Sequence, residues 1–183
     1  MRKVIAAINM TIDGFCDHTS GIPDDEIHQH YTELLRSAGI TLYGRITYEL
    51  MRYWQPIVTN PTGNKSMDEF AVAIDNIPKV VFSRTLEDTG WDTARLATKD
   101  VKEEILQLKR MPGKDILIGS PGLIVTSMNL ELIDELQLCI HPVIAGIGLP
   151  LFKNVKDKPV LKLIKTKPFS GGAVILYYVP IKK

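Results

Sequence analysis

Short, nearly unbroken apolar runs recur through the first part of the chain, at Val4 to Ile8, Ile40 to Tyr43, Lys79 to Phe82 and Asp115 to Ile118. Runs of this kind fit strands buried on both faces. Arg95 to Ala97 reads as a further short strand. Between these runs the apolar positions return at helical spacing. Ile27, Tyr31, Leu34, Leu35 and Ala38 mark one face of a helix that starts at Pro23-Asp24-Asp25-Glu26. Acidic residues there meet the positive end of the helix dipole, and Gly39 is expected to end the helix. Arg45 to Tyr53, Met67 to Ile74, Val101 to Lys109 and Leu123 to Met128 are predicted helices. Gln55 to Lys65, rich in Pro, Asn, Thr and Gly, is predicted to be a mobile loop. The pattern then changes. Glu135 to Ile140 alternates, and Val160 to Lys165 and Val174 to Val179 are strands with no helix between them. Strand–helix units followed by a strand meander predict an α/β fold of three layers, αβα. Its sheet is mostly parallel and twisted, with antiparallel strands added at the C-terminal end. No repeat, low-complexity tract or linker interrupts the pattern, so residues 1–183 are expected to form a single domain.

Composition narrows the function classes. The net charge of +1 provides no broad basic field for nucleic acid or for an anionic membrane. No apolar stretch is long enough to span a membrane, and the run in MRKVIAAINM is too short for a signal-peptide core. A cytoplasmic protein is the expectation. Cys16 and Cys139 are too few and too far apart for a zinc cluster or a disulfide framework, and Cys139 reads as an inert buried thiol. His28 and His30, two apart, point to different sides of a helix. His141, before Pro142, reads as a structural strand residue. There is no HExxH, zinc deaminase signature, GxSxG elbow or P-loop, and no metal is expected.

The candidate chemistry lies where the apolar runs end. In LYGRITYE (42–49) a Gly separates strand from helix, Arg45 adds a planar cationic fork, and Thr47 adds a hydroxyl in the first turn. Ser83-Arg84-Thr85 and Gly119-Ser120-Pro121-Gly122 also follow strands, the latter with Ser as N-cap and Pro at the first helical position. Thr11-Ile12-Asp13-Gly14 follows the first strand. Each of these alone also reads as an ordinary turn or cap. Taken in order, three consecutive strand ends carry small or hydroxyl residues and two carry an Arg. One dinucleotide lying across the carboxyl ends of the strands explains all three, and two arginines suit the extra phosphate of NADPH.

Together, TIDG (11–14), LYGRITYE (42–49), VVFSRT (80–85), ILIGSPGL (116–123) and LIDELQLCIHPVIAGIGLPLF (132–152) resemble the dihydrofolate reductase-like superfamily. Within it, they resemble most the branch containing the C-terminal reductase domain of bifunctional riboflavin-biosynthesis proteins. The last segment is the most specific, through Asp134-Glu135, Pro142, Gly146-x-Gly148 and Leu151-Phe152. The resemblance implies that Gly44, Arg45 and Thr47 contact cofactor phosphates and that Ser83 and Arg84 lie near the adenosine 2′-phosphate. It implies that Gly119, Ser120 and Gly122 line the pyrophosphate and nicotinamide side, and that the strand around Ala7 offers backbone to the nicotinamide carboxamide. Asn9, Thr11 and His28 are the expected substrate contacts, and Asp13 or a water the proton donor.

Two departures from the family pattern matter. Relatives often carry Gly-Gly where this chain has Gly119-Ser120, so the Ser side chain is expected to crowd the ligand. The acidic residue that holds the pterin in dihydrofolate reductases has its place near His28, with Asp24, Asp25 and Glu26 close by. The implied activity is NADPH-dependent hydride transfer to a polar imine or sugar-derived carbonyl. In the family, that is reduction of the ribosyl group of a phosphoribosylamino-pyrimidine. The alternatives are folate reduction proper and a nucleotide-binding protein without turnover. The resemblance also implies a homodimer, and the run from Leu138 to Ile144 packs either in the sheet core or across such an interface.

Overall fold

The computed structural model describes residues 1–181. Its eight strands are β1 (Val4–Thr11), β2 (Ala38–Gly44), β3 (Lys79–Phe82), β4 (Ala94–Leu96), β5 (Asp115–Ile118), β6 (Glu135–His141), β7 (Leu161–Pro168) and β8 (Val174–Pro180). They form one sheet in the order β4-β3-β2-β5-β1-β6-β8-β7. The pairings from β4 through β6 are parallel, and β8 and β7 add antiparallel. Five helices complete the chain: α1 (Asp25–Ser37), α2 (Arg45–Met51), α3 (Lys65–Asn76), α4 (Val101–Arg110) and α5 (Pro121–Asn129). Three of them start on a side-chain cap. Asp24, Asn64 and Asp100 accept the N–H groups of Ile27, Met67 and Glu103. No helix among the described residues is long and apolar enough to cross a membrane.

The sheet is covered on both faces, as the apolar runs predict. Val4, Ala6 and Ile8 of β1 pack with α4 and α5 through Ile105, Leu108 and Ile124. Tyr43 of β2 and Leu117 of β5 pack on the other face with Leu35, Tyr48 and Ile74 of α1, α2 and α3. Leu138 and Cys139 of the run carried to Ile144 lie in this sheet core, whereas Ile144 is exposed. Burial pushes the Cys139 thiol up to about 12, which makes it inert as a nucleophile.

The pairing of β1 with β6 is clamped at both ends. At the start, Val4 N–H donates to Asp134 Oδ2 at 2.8 Å, and Asp134 N–H returns a bond to the Val4 carbonyl at 2.9 Å. Lys109 Nζ, reaching from α4, closes on the same carboxylate at 2.5 Å. At the far end, Asp13 accepts from the N–H groups of Gly146 at 2.7 Å and Ala145 at 3.1 Å, and from Thr11 Oγ1 at 2.6 Å. Asp17 Oδ2 accepts from Leu149 N–H at 2.6 Å. These contacts explain the Gly146-x-Gly148 pattern. Gly146 sits at φ 74° and Gly148 at φ 149°, and a Cβ on Gly148 would collide with the Asp17 carboxylate.

Three expectations change. Gly39 does not end α1 in a left-handed cap. The chain turns straight into β2 at Ala38, and Gly39 lies within the strand at a register shift. A Cβ there would stand 3.0 Å from Arg2 Nη2 and 3.2 Å from the Lys114 carbonyl, so the glycine serves close approach. The segment from Gln55 to Lys65 contains a 3-10 turn, Pro56–Val58, and Asp68 ties its end by accepting from Thr62 N–H and Gly63 N–H. Finally, α2 stops at Met51 and continues as a 3-10 turn, Arg52–Trp54.

Two measurements check these assignments. Gly39→Ala should lower the unfolding free energy in urea by about 1–3 kcal/mol, the usual cost of overpacking. A Gly39 that merely ended a helix at negative φ would tolerate alanine. The hydrogen bonds from Thr11 and then Gly146 hold the Asp13 carboxyl at about 2, below its ordinary value. Its contribution to stability is therefore full above the ordinary carboxylate range and disappears as pH falls through 2. Asp13→Asn should lower the thermal midpoint near pH 5, and the gap to the wild type should close as the pH approaches 2.

Candidate active site

Parallel pairing brings the C-terminal ends of β3, β2, β5 and β1 to one edge of the sheet, and β6 continues that edge. A cleft of about 1260 Å³ runs along it. Adjacent strands are about 4.8 Å apart, so the edge from β3 to β6 spans about 19 Å, enough for an extended ligand plus a second small molecule. This is the crevice where open α/β sheets bind ligands.

All nine residues expected at the cofactor line this one cleft: Ala7 from β1, Gly44, Arg45 and Thr47 after β2, Ser83 and Arg84 after β3, and Gly119, Ser120 and Gly122 after β5. Asn9 and His28, expected at the substrate, line it as well. Thr11 and Asp13 do not. Thr11 is fully buried, its hydroxyl donating to Asp13 and accepting from Phe15 N–H. Asp13 is occupied by the 145–146 backbone outside the cleft, and a carboxyl held at about 2 carries no proton to give at neutral pH. In this structure Asp13 lies outside the cleft and clamps the loop.

The two ends of the cleft differ in chemistry. At the β2–β3 end, Arg45 and Arg84 are exposed and provide its guanidinium groups. Arg45 Nη1 pairs with Glu49, one turn on, at 2.9 Å; both side chains are half exposed, so the pair is weak and readily opened. The Ser83 hydroxyl accepts from Thr85 N–H and Leu86 N–H, shaping its own turn. At Gly122 a Cβ would meet nothing within 4 Å, and at Gly44 only Ser120 at 4.0 Å, so both backbone segments face open space. Gly119 is tighter, with Tyr43 Cε1 at 3.4 Å from such a Cβ.

Ser120 departs from expectation in an informative way. It occupies the N-cap position of α5, but its side chain makes no bond to that helix. The hydroxyl turns aside and accepts from Gly44 N–H at 2.9 Å. Ser120 is only 3% exposed, so it does not crowd the cleft and instead ties the end of β5 to the end of β2.

One wall of the cleft is aromatic. His28 stands edge-to-face with Trp54 and Phe70, at centroid distances of 5.8 and 6.0 Å, and Trp54 packs on Phe70 at 4.7 Å. Burial pushes the His28 imidazole below its ordinary value. The acidic residues at the start of α1 face elsewhere. Asp24 caps the helix, Asp25 accepts from Asn64 and Ser66, and Glu26 accepts from Ser170 N–H. Asp17 is the one carboxylate lining the cleft among the described residues, and it accepts from Leu149 N–H.

His141, read from sequence as a structural strand residue, also reaches the cleft. It is fully buried, lines the cleft from the end of β6, and contacts Asn9 at 3.0 Å. Its signal was the strand period, which places positions 137, 139 and 141 on the face opposite Leu136 and Leu138. That this face opens into a cleft at residue 141 depends on how α1 packs.

Comparison with known proteins agrees with this geometry. YyaP of Bacillus subtilis (strain 168), named as an uncharacterized protein, is 36% identical over 181 residues, covering 97% of this chain and 94% of its own. YwjB of the same strain, also named as uncharacterized, is 29% identical over 97% of this chain. Among solved structures, a putative riboflavin biosynthesis protein from Shewanella sp. PV-4 superposes with a TM-score of 0.73 at 17% identity over the full length of both chains. A deaminase/5-amino-6-(5-phosphoribosylamino)uracil reductase from Thermotoga maritima superposes with a TM-score of 0.68 at 19% identity, this chain spanning 57% of it. At such identities these structures establish the fold. The model of the RibD C-terminal domain matches residues 2–175, and with this extent of match the chain belongs to the RibD C-terminal domain family, a family of reductase domains.

Proposed function

We propose that the protein is an NADPH-dependent reductase acting in the cytoplasm on a small polar imine or carbonyl compound. What supports this reading is the gathering of residues from four parallel strand ends along one cleft, with both of its arginines at one end. The donor set fits the cofactor. Arg45 and Thr47 would hold phosphate oxygens beside Gly44, whose own N–H is given to Ser120, and Arg84 with Ser83 would take the 2′-phosphate. The open backbone at Gly122 would accept the pyrophosphate, and the Ala7 backbone would pair with the carboxamide. When bound, the cofactor supplies a hydride at its nicotinamide ring. The chain's own contribution is orientation and exclusion of water. Ala7, Gly119 and the His28–Trp54–Phe70 stack line the cleft in which the ring would lie.

With Asp13 engaged outside the cleft, the proton that accompanies hydride transfer comes from water. The absence of a carboxylate from α1 at the cleft disfavours folate reduction, which needs an acid to hold the pterin. The Ser120 hydroxyl, turned to Gly44, removes the main argument for a nucleotide-binding protein without turnover. The reaction known for the family, reduction of the ribosyl group of a phosphoribosylamino-pyrimidine, is one candidate within this reading. The protein is further proposed to be a homodimer.

Titration with NADPH, followed by quenching of Trp54 in the cleft wall, tests the reading. Arg45→Ala should weaken NADPH binding about ten-fold or more, the usual loss for a hydrogen bond to a charged group. Arg84→Ala should weaken NADPH binding by a similar factor while leaving NADH binding nearly unchanged. Failure of the wild type to bind NADPH overturns the reading. Unchanged NADPH affinity in Arg45→Ala returns 42–49 to an ordinary turn. Ser120→Ala leaves Gly44 N–H without its acceptor; it should cost about 1–3 kcal/mol in urea unfolding and lower NADPH affinity with it.

A further inference from the structure

One side chain at the substrate end has its orientation dictated by a chain of hydrogen bonds. The backbone N–H of Ile22 donates to His141 Nδ1 at 3.0 Å. A backbone N–H can only donate, so Nδ1 carries no proton, and the neutral ring carries its proton on Nε2. Nε2 lies 3.0 Å from Asn9 Oδ1, and this N–H donates to that oxygen. The Tyr31 hydroxyl donates to the same oxygen at 3.1 Å. Both lone pairs of Asn9 Oδ1 are thereby used, and turning the amide over would set its NH2 against the His141 N–H. The Asn9 NH2 group therefore faces the cleft, and it has no protein partner among the described residues.

The surroundings restrict what can meet it. Asn9 lies on β1, while the two guanidinium groups of the cleft come from the ends of β2 and β3. With β5 between β2 and β1, the nearer of these strands is about 10 Å away. No lysine or arginine from β1, α1 or β6 lines the cleft among the described residues. The ring that meets Asn9 is that of Tyr31, and the His28–Trp54–Phe70 stack lines the same cleft. Such a site offers an aromatic ring and a directed pair of N–H donors, but no lysine or arginine to grip a phosphate or carboxylate, and the other imidazoles in the lining are His18 and His28.

Within the reductase reading above, we infer that Asn9 is the specificity-determining residue. Its Nδ2–H pair receives a carbonyl oxygen of a flat, uncharged heterocycle, His141 and Tyr31 are positioning residues, and no phosphate is recognised at this end. This departs from a substrate whose phosphate is gripped.

The test is isothermal titration of a 6-(ribosylamino)uracil and of its 5′-phosphate, with and without saturating NADPH. The two should bind within about three-fold of each other at low and high salt. Asn9→Asp keeps both acceptor contacts to His141 and Tyr31 and replaces the donor by an acceptor. It should weaken the unphosphorylated ligand ten-fold or more without changing NADPH affinity or the thermal midpoint. Asn9→Ala should weaken it similarly. His141→Phe should weaken it too, with partial rescue in His141→Gln, whose amide can still donate to Asn9. The inference falls if the phosphate ester binds ten-fold tighter and loses that gain in high salt. It also falls if Asn9→Asp binds as the wild type does, or if neither uracil binds. Loss of NADPH binding in the wild type would instead sink the cofactor reading, and the titration without NADPH would still decide the role of Asn9.

Discussion

The pairing of β1 with β6 is the constraint on which the rest depends. It is held at one end by the reciprocal Val4–Asp134 bonds with Lys109, and at the other by Asp13 and Asp17 on the backbone of 145–149. A parallel pair has a definite register, and a slip of one residue would turn every side chain to the other face. In the observed register, Ala7 and Asn9 of β1 and Cys139 and His141 of β6 share the face toward α1. The contact between His141 and Asn9 exists because of that register.

Clamping both ends also separates two jobs that the sequence pattern mixes. The acidic residues at the ends of these elements are mostly structural: Asp13, Asp17, Asp24 and Asp134 each accept backbone N–H groups that would otherwise be unpaired. The cleft is left with its two guanidinium groups after β2 and β3, an aromatic wall, and the Asn9 amide on β1. A hydride donor and a neutral acceptor need little more than this from a protein, because the chemistry lies in the cofactor and the substrate.

Ser120 shows how one residue type can satisfy a family pattern in a different way. Where relatives often have a second glycine, the hydroxyl finds the Gly44 N–H and becomes part of the scaffold. An interior hydrogen bond of this kind joins two strand ends that carry separate parts of the cleft lining, so their spacing is coupled.

Much of this was legible in the chain. The unbroken apolar runs specified strands covered on both faces, the alternating C-terminal runs specified antiparallel additions, and the Gly, Ser and Arg residues after the runs marked the cleft edge. These features are local or periodic, and periodicity is a property of sequence. Three things were not legible. Asp13 looked like a proton donor because its partners, the N–H groups of 145 and 146, lie far along the chain. Gly39 looked like a helix stop because the crowding by Arg2 and Lys114 comes from β1 and the start of β5. His141 looked structural because only the approach of the 21–31 segment provides Ile22 N–H, Asn9 and Tyr31 with a common meeting point. The sequence by itself determined the elements and the edge along which the cleft runs. Which carboxylates are spent on backbone, and which amide is left free to face the cleft, was decided by tertiary structure, because hydrogen-bond partners distant in the chain are set only when the sheet is assembled.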